Sequence, residues 1–202
     1  MNPSSSTQAL LIFIKNATLG KVKTRLAQTV GDQRALKIYK ALLQHTKAIA
    51  LTTPATRLLF YSENINENDD WSSDDFQKLL QQDGDLGVRM QAAFATAFQE
   101  HEKVIIIGSD CASLNPEIVQ TAFEQLDHFP FVIGPAFDGG YYLLGMNTYQ
   151  PSLFEDIAWS TDTVLPATIA KIEALQQNYY CLPTLSDIDY EEDWKKYGWE
   201  IE

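Results

Sequence analysis

"VIIIGSDCASLNPEIVQTAFEQLDHFPFVIGPA", residues 104–136, decides the fold. Its opening is branched and apolar, as a strand buried on both faces must be, and it stops at Gly108. "SDCASLNP" breaks the strand, and Pro116 then opens a helix expected to run to about Leu126. "FVIGPA" (131–136) is a second apolar strand. Strand, helix and strand in this order call for a mainly parallel sheet whose ligand crevice lies beyond the carboxyl ends of the strands.

The pattern continues in both directions. Upstream, "ALLIFI" (9–14) reads as a buried strand, and Asp32 to about Ala50 places Leu36, Tyr39, Leu42, Leu43 and Ile49 at helical spacing behind a possible Asp32 N-cap. "TRLLFYS" (56–62) is a further strand, followed by "ENINENDDWSSDD" (63–75), a polar surface loop whose charge serves solvation. Residues 86–100 form a helix with Met90, Ala93, Phe94, Ala97 and Phe98 on one face. Downstream come a strand (141–146), a helix around "TVLPATIAKIEALQQ", a short "YYCLP" strand and a closing "EEDWKKYG" helix. No repeat or linker interrupts the series. A leader over residues 1–8 followed by one domain over 9–202 is the organisation expected of 202 residues.

Composition narrows the function. A net charge of -12 argues against nucleic acid or an anionic membrane as partner, because both need a basic footprint. No apolar run approaches the ~20 residues that span a bilayer, and "MNPSSSTQ" lacks the pattern of a secretory signal. Two cysteines without metal-knuckle spacing suit a reducing compartment, so the cytoplasm is the expected location. A monomer and a homodimer are equally compatible with this composition.

Against the acidic background, four of the 15 lysines and arginines crowd into residues 15–25, "KNATLGKVKTR", without one acid. Lys15, Lys21, Lys23 and Arg25 directly follow a strand, and Gly20 permits a tight turn, which is the makeup of a loop that surrounds phosphates. It is not a P-loop: that motif would need glycine at 15 and serine or threonine at 22, where the chain has Lys15 and Val22. A solvated basic turn is the plainer alternative.

Two strand ends carry carboxylates toward the same crevice. Asp110 would suit a hard divalent cation bridging phosphate oxygens, although aspartate at such a junction also serves as a turn or cap residue. In "GPAFDGGYYLLGM" (134–146), Asp138 could share that cation or orient an acceptor hydroxyl. Gly139 and Gly140 permit close backbone approach, and Tyr141 or Tyr142 could line an acceptor pocket. A type I′ turn joining antiparallel strands is also permitted by "DGG" and is compatible with such a site. Cys111 has no histidine near it in sequence, which weighs against a thiol nucleophile. Gly84, Asp85 and Gly87 form a loop suited to backbone contact with a base or sugar, or simply a helix entry. Near the C-terminus, Asp187, Asp189 and Asp193 offer either a further metal ligand at Asp189 or helix capping.

Taken together, "FIKNATLGKVKTRLA" (13–27), "GDLGVRM" (84–90), "GSDCASL" (108–114), "GPAFDGGYYLLG" (134–145), "WST" (159–161) and "DIDYEEDW" (187–194) resemble a bacterial family of GT-A-type glycosyltransferases, formerly a domain of unknown function. It lies in the nucleotide-diphospho-sugar transferase superfamily, and the resemblance covers nearly the whole chain. It implies a three-layer α/β/α Rossmann-like sandwich with a mixed, mainly parallel sheet, binding a nucleotide or nucleotide sugar with Mg²⁺ or Mn²⁺. By position it implies Lys15, Lys23 and Arg25 on phosphates, Gly84, Asp85 and Gly87 near the base or ribose, and Asp110 on the metal with Asp138 and Asp189 as partners. The chain departs from the family pattern at Asn16-Ala17 and Ala112, where prolines are usual. The activity so implied is glycosyl transfer from a nucleotide-diphospho sugar to a small-molecule acceptor. Nucleotidyl transfer from a nucleoside triphosphate with pyrophosphate release, or nucleotide binding without turnover, are the alternatives.

Overall fold

The computed structural model describes residues 7–201. Seven strands form one sheet in the order β3-β2-β1-β4-β6-β5-β7. β1 (Gln8–Ile14) lies between β2 (Thr56–Tyr61) and β4 (Lys103–Ile107), parallel to both. β3 (Gln77–Leu80) adds to β2, and β5 (Phe131–Pro135) pairs in parallel with β7 (Tyr179–Cys181). β6 (Tyr141–Met146) alone is reversed, antiparallel to β4 and β5. The sheet is therefore mainly parallel, as the alternation of elements requires, and mixed through β6, as the resemblance implies.

Both faces are covered, which is why the central strands read as unbroken apolar runs. Leu10, Ile12 and Ile14 pack with Tyr39 and Leu43 of α2 (Asp32–Thr52) and with Val119 and Phe123 of α4 (Pro116–Gln125). The opposite face buries Ala9 and Leu11 against Met90 and Phe94 of α3 (Leu86–Ala97) and Ile172 of α5 (Val164–Ala174). Each such Leu, Ile or Phe contributes about 1.5–3 kcal/mol by leaving water. A third cluster joins Leu26 of α1 (Thr24–Val30), Ile38 and Leu42 of α2 and Trp194 of α6 (Glu191–Tyr197). No described helix is long and apolar enough to cross a membrane.

Four local expectations change. Helix α1 begins directly at the end of the cationic loop, where no helix was expected. The N-cap of α2 is Gly31, with φ 79°, and Asp32 is its first helical residue. The acidic loop after β2 is not merely solvated: Trp71 is buried, Asp69 accepts from Tyr61 Oη at 2.6 Å, and Lys78 Nζ lies 3.0 Å from Asp69 Oδ1. The short strand β3 was not anticipated; its half-exposed "QKLL" lacks the apolar run by which buried strands announce themselves. Of the leader expected over residues 1–8, the first six lie outside the described residues and Gln8 opens β1.

Candidate functional site

A cavity of about 650 Å³ opens beyond the carboxyl ends of β1 and β4. It gathers residues from positions far apart in the chain: Lys15, Lys21, Lys23 and Arg25 on one side, Asp110, Asp138, Asp187 and Asp189 on the other. Gly140, Tyr141 and the segment Trp159 to Asp162 complete the wall.

Lys23 is the hinge of this arrangement. It caps α1 in the left-handed region (φ 49°), a conformation that costs a non-glycine residue about 1 kcal/mol or more. Its side chain is only 5% exposed and is offset by an ion pair with Asp110 at 2.8 Å and a looser one with Asp189 at 3.9 Å. Arg25 Nη1 donates to Asp189 Oδ2 at 3.1 Å. Behind them, Tyr39 fastens the end of β1: its hydroxyl accepts from Lys15 N at 2.8 Å and donates to Lys15 O at 3.0 Å. Tyr39 was legible only as a buried helix position, because nothing in a helical period tells that a hydroxyl meets a strand end.

Backbone stitching brings the C-terminal acids to Asp110. Leu185 N donates to Pro135 O, Phe137 N to Leu185 O, and Ile188 N to Asp110 O at 2.9 Å. The two readings of the C-terminal aspartates resolve by residue. Asp193 accepts from the backbone N–H groups of Asp189 and Tyr190 and caps α6, while Asp189 turns to the cations. Asp187 lies between Cys111 and the cavity, and its carboxyl is pushed up to about 7 by burial first, then by the neighbouring charge of Asp110, offset by Lys23. Burial, followed by Asp187, likewise pushes the Cys111 thiol up to about 12, so it is held as an inert thiol.

The acceptor-side loops interlock. Asp138 Oδ1 accepts from Gly140 N at 2.9 Å, so "DGG" is a turn and also a cavity wall. Gly139 has φ 88°, and a Cβ there would stand 2.2 Å from Asp162 O; Leu165 N donates to Gly139 O. Likewise a Cβ on Gly87 would fall 2.1 Å from Trp159 Nε1, so "GDLG" and "WST" are packed on one another. Trp159, Ser160, Thr161 and Asp162 were not assigned a role from the sequence; the signal was there in "WST", but its direction was not.

The other candidates divide between the cavity wall and places apart from it. Tyr142 is buried and its hydroxyl donates to Pro183 O at 2.9 Å. Tyr141 lines the wall, with its hydroxyl 4.0 Å from Met90 Sδ. Asp85 is the N-cap of α3, accepting from Val88 N at 2.9 Å, and Gly84 O accepts from Arg89 Nε. Leu86 carries that loop to the cavity edge. Gly20, with φ 75°, turns the cationic loop just before Lys21.

The donor set can be tested for a hard cation. The cavity is lined by four cationic side chains and five carboxylates, so alone it offers no surplus positive charge to a phosphate chain. Oxygen donors in excess over their counter-charges suit a divalent ion such as Mg²⁺ or Mn²⁺. Among the described residues no three acidic, histidine or cysteine side chains already stand together as a cage. Asp110 and Asp189 are engaged by Lys23 and Arg25, so any such cation would have to exchange with those ion pairs.

A family model described as "Uncharacterized protein conserved in bacteria (DUF2064)" matches residues 44–161. No curated protein matches the chain. Among solved structures, it is similar to a protein from Desulfovibrio desulfuricans G20 provisionally named a nucleotide-diphospho-sugar transferase, at 32% identity and TM-score 0.86, over 92% of this chain and 83% of that one. It shares its fold with the inositol-1-phosphate CTP transferase of T. maritima, at 16% identity and TM-score 0.62, over 94% and 92% of the two chains. A manganese complex of Rv0371C from Mycobacterium tuberculosis H37Rv is a more distant neighbour, at 10% identity and TM-score 0.51, over 96% and 98%.

Proposed function

This chain belongs to the DUF2064 family, and from that premise we propose that it is a metal-dependent transferase that moves a glycosyl group from a nucleotide-diphospho sugar to a small hydroxyl-bearing acceptor. One observation carries the reading. Cations of the first loop and acids from three distant strand ends converge on a single cavity of a size typical for small-molecule ligands. The provisional name of the 32% identical neighbour supports the donor class.

In this reading Lys15, Lys21, Lys23 and Arg25 hold the diphosphate, with Gly20 shaping their loop, and Lys23 and Arg25 stabilise charge as it leaves. Asp110, with Asp138 or Asp189, would hold the divalent ion, which when bound supplies charge neutralisation at the departing diphosphate. Asp138 would orient the acceptor hydroxyl, a role supported by the bond from Gly140 N–H that holds its carboxylate at the cavity wall. Gly139, Gly140 and Tyr141 shape the acceptor side, Tyr142 supports it from within, and the loop of Gly84, Asp85 and Gly87 borders the base or ribose.

The balance of charge favours a diphosphate over a triphosphate. Lys23 and Arg25 are already shared with Asp110 and Asp189, which leaves few cations for an additional phosphate. Product analysis tests this. Nucleoside diphosphate should be released from a nucleotide sugar with Mg²⁺ or Mn²⁺, and Asp110→Asn should slow that release by about a hundredfold or more. Release of pyrophosphate from a nucleoside triphosphate and a sugar phosphate would move the assignment to nucleotidyl transfer. Tight nucleotide binding without either product would leave a binding protein.

A further inference from the structure

The loop after β2 presents an unusual combination. Residues 62–76 contain no helix or strand, and a structureless stretch of that length in an ordered fold is generally functional. It is held at several points. Asn16 Oδ1 accepts from Glu63 N at 3.0 Å, and Asn16 Nδ2 donates to Asn64 O at 2.7 Å. Gln44 Nε2 donates to Asp70 Oδ2 at 2.6 Å, Lys47 Nζ bonds Asp70 O, and Lys78 Nζ donates to Asn66 O at 2.6 Å.

These fastenings leave a second cavity of about 420 Å³ between the loop, the root of the cationic loop and α2. Trp71, Tyr61, Leu43 and Ile14 give it an apolar floor. Its two aspartates are already engaged, Asp69 by Tyr61 and Lys78 and Asp70 by Gln44. Its two lysines are not: among the described residues neither Lys15 nor Lys40 is ion-paired. With Asp69 neutralised by Lys78 and Asp70 held by Gln44, the two unpaired ammonium groups outnumber the one remaining carboxylate charge, which makes a site for an anion, and the side chains of Asn64 and Asn66 add amide donors at its edge.

We propose that this second cavity binds a small phosphorylated or carboxylated, hydroxyl-bearing molecule, held by Lys40 and Lys15, at a site separate from the nucleotide cavity. The proposal does not depend on the transferase reading. Lys15 lines both cavities and so cannot tell them apart, whereas Lys40 lines only the second and Arg25 only the first.

Titration calorimetry with inorganic phosphate, glucose 6-phosphate and citrate tests it on the full chain, in parallel with Lys40→Ala and Arg25→Ala. Lys40 is exposed, so its replacement should leave the melting temperature unchanged, which thermal unfolding verifies. At least one probe should bind. Lys40→Ala should weaken that probe about tenfold while Arg25→Ala leaves it unaltered, and nucleotide affinity should follow the reverse pattern. Absence of binding by every probe at millimolar concentration overturns the proposal. So does loss of probe binding in Arg25→Ala alone, which would mean that the anion enters the first cavity. A fall in nucleotide affinity in Lys40→Ala would merge the two cavities into one site and end the claim of separateness.

Discussion

The first cavity holds five carboxylates beside four cations, and the second holds two aspartates beside two lysines, yet pairing distributes the charge differently in each. In the first, Lys23 and Arg25 reach across to Asp110 and Asp189, and Asp187 remains as half-buried surplus acid. In the second, Lys78 from outside the wall neutralises Asp69, while Tyr61 and Gln44 of the wall donate to Asp69 and Asp70, so the two unpaired lysines outnumber the one carboxylate charge that remains. What a cavity can bind thus follows from the charge left over after internal pairing, not from the residues that line it.

The largest effect expected on this contrast comes from Gly139→Ala. A methyl group cannot move the Asp162 carbonyl cheaply, and φ 88° is strained for alanine, so about 3 kcal/mol of stability should be lost together with transfer activity. Denaturant unfolding checks the first and product release the second. Lys23→Ala follows. It strands Asp110 and Asp189 without their buried cation, and after discounting for the exposure of both carboxylates a loss of about 1–3 kcal/mol is expected. Phosphate binding in the second cavity should not change in either variant as long as the protein is folded; a parallel loss would erase the contrast.

Asp187→Asn should act in the opposite direction. The raised carboxyl means that the folded protein holds the proton more tightly than the unfolded chain, so this contribution is complete below about pH 4 and is lost as pH rises through 7. The asparagine variant should match the parent near pH 4 and exceed it by on the order of 2 kcal/mol near pH 8, or about 4–8 °C in melting temperature. A flat difference between the two proteins across that range would show that Asp187 is not surplus charge. Arg25→Ala should change least in the fold, because its side chain is exposed, but it should weaken nucleotide binding about tenfold by calorimetry.

The elements at the centre of the sheet were legible because they are buried on both faces. β1 and β4 appear as uninterrupted apolar runs, α3 shows helical spacing, and α4 opens at Pro116. The edge was not: β3 is half-exposed, and Trp71 in an acidic loop gave no period to follow. At the site, Lys15, Lys21, Lys23, Arg25, Asp110, Asp138 and Asp189 all reach one cavity, whereas Tyr142 turns into the core and Asp85 serves as a cap. Alternation along a strand separates Tyr141 from Tyr142, but the sequence does not say which of two neighbours faces the ligand.

The sequence by itself determined the strand-helix alternation, the mainly parallel sheet and the concentration of charge at strand ends, since burial period and turn chemistry act over a few residues. Only the tertiary structure decided which charges neutralise one another. Residue 189 meets residues 23 and 25 because strand ends more than 160 positions apart close on the same crevice, and electrostatic pairing depends on distance in space, to which spacing along the chain is blind.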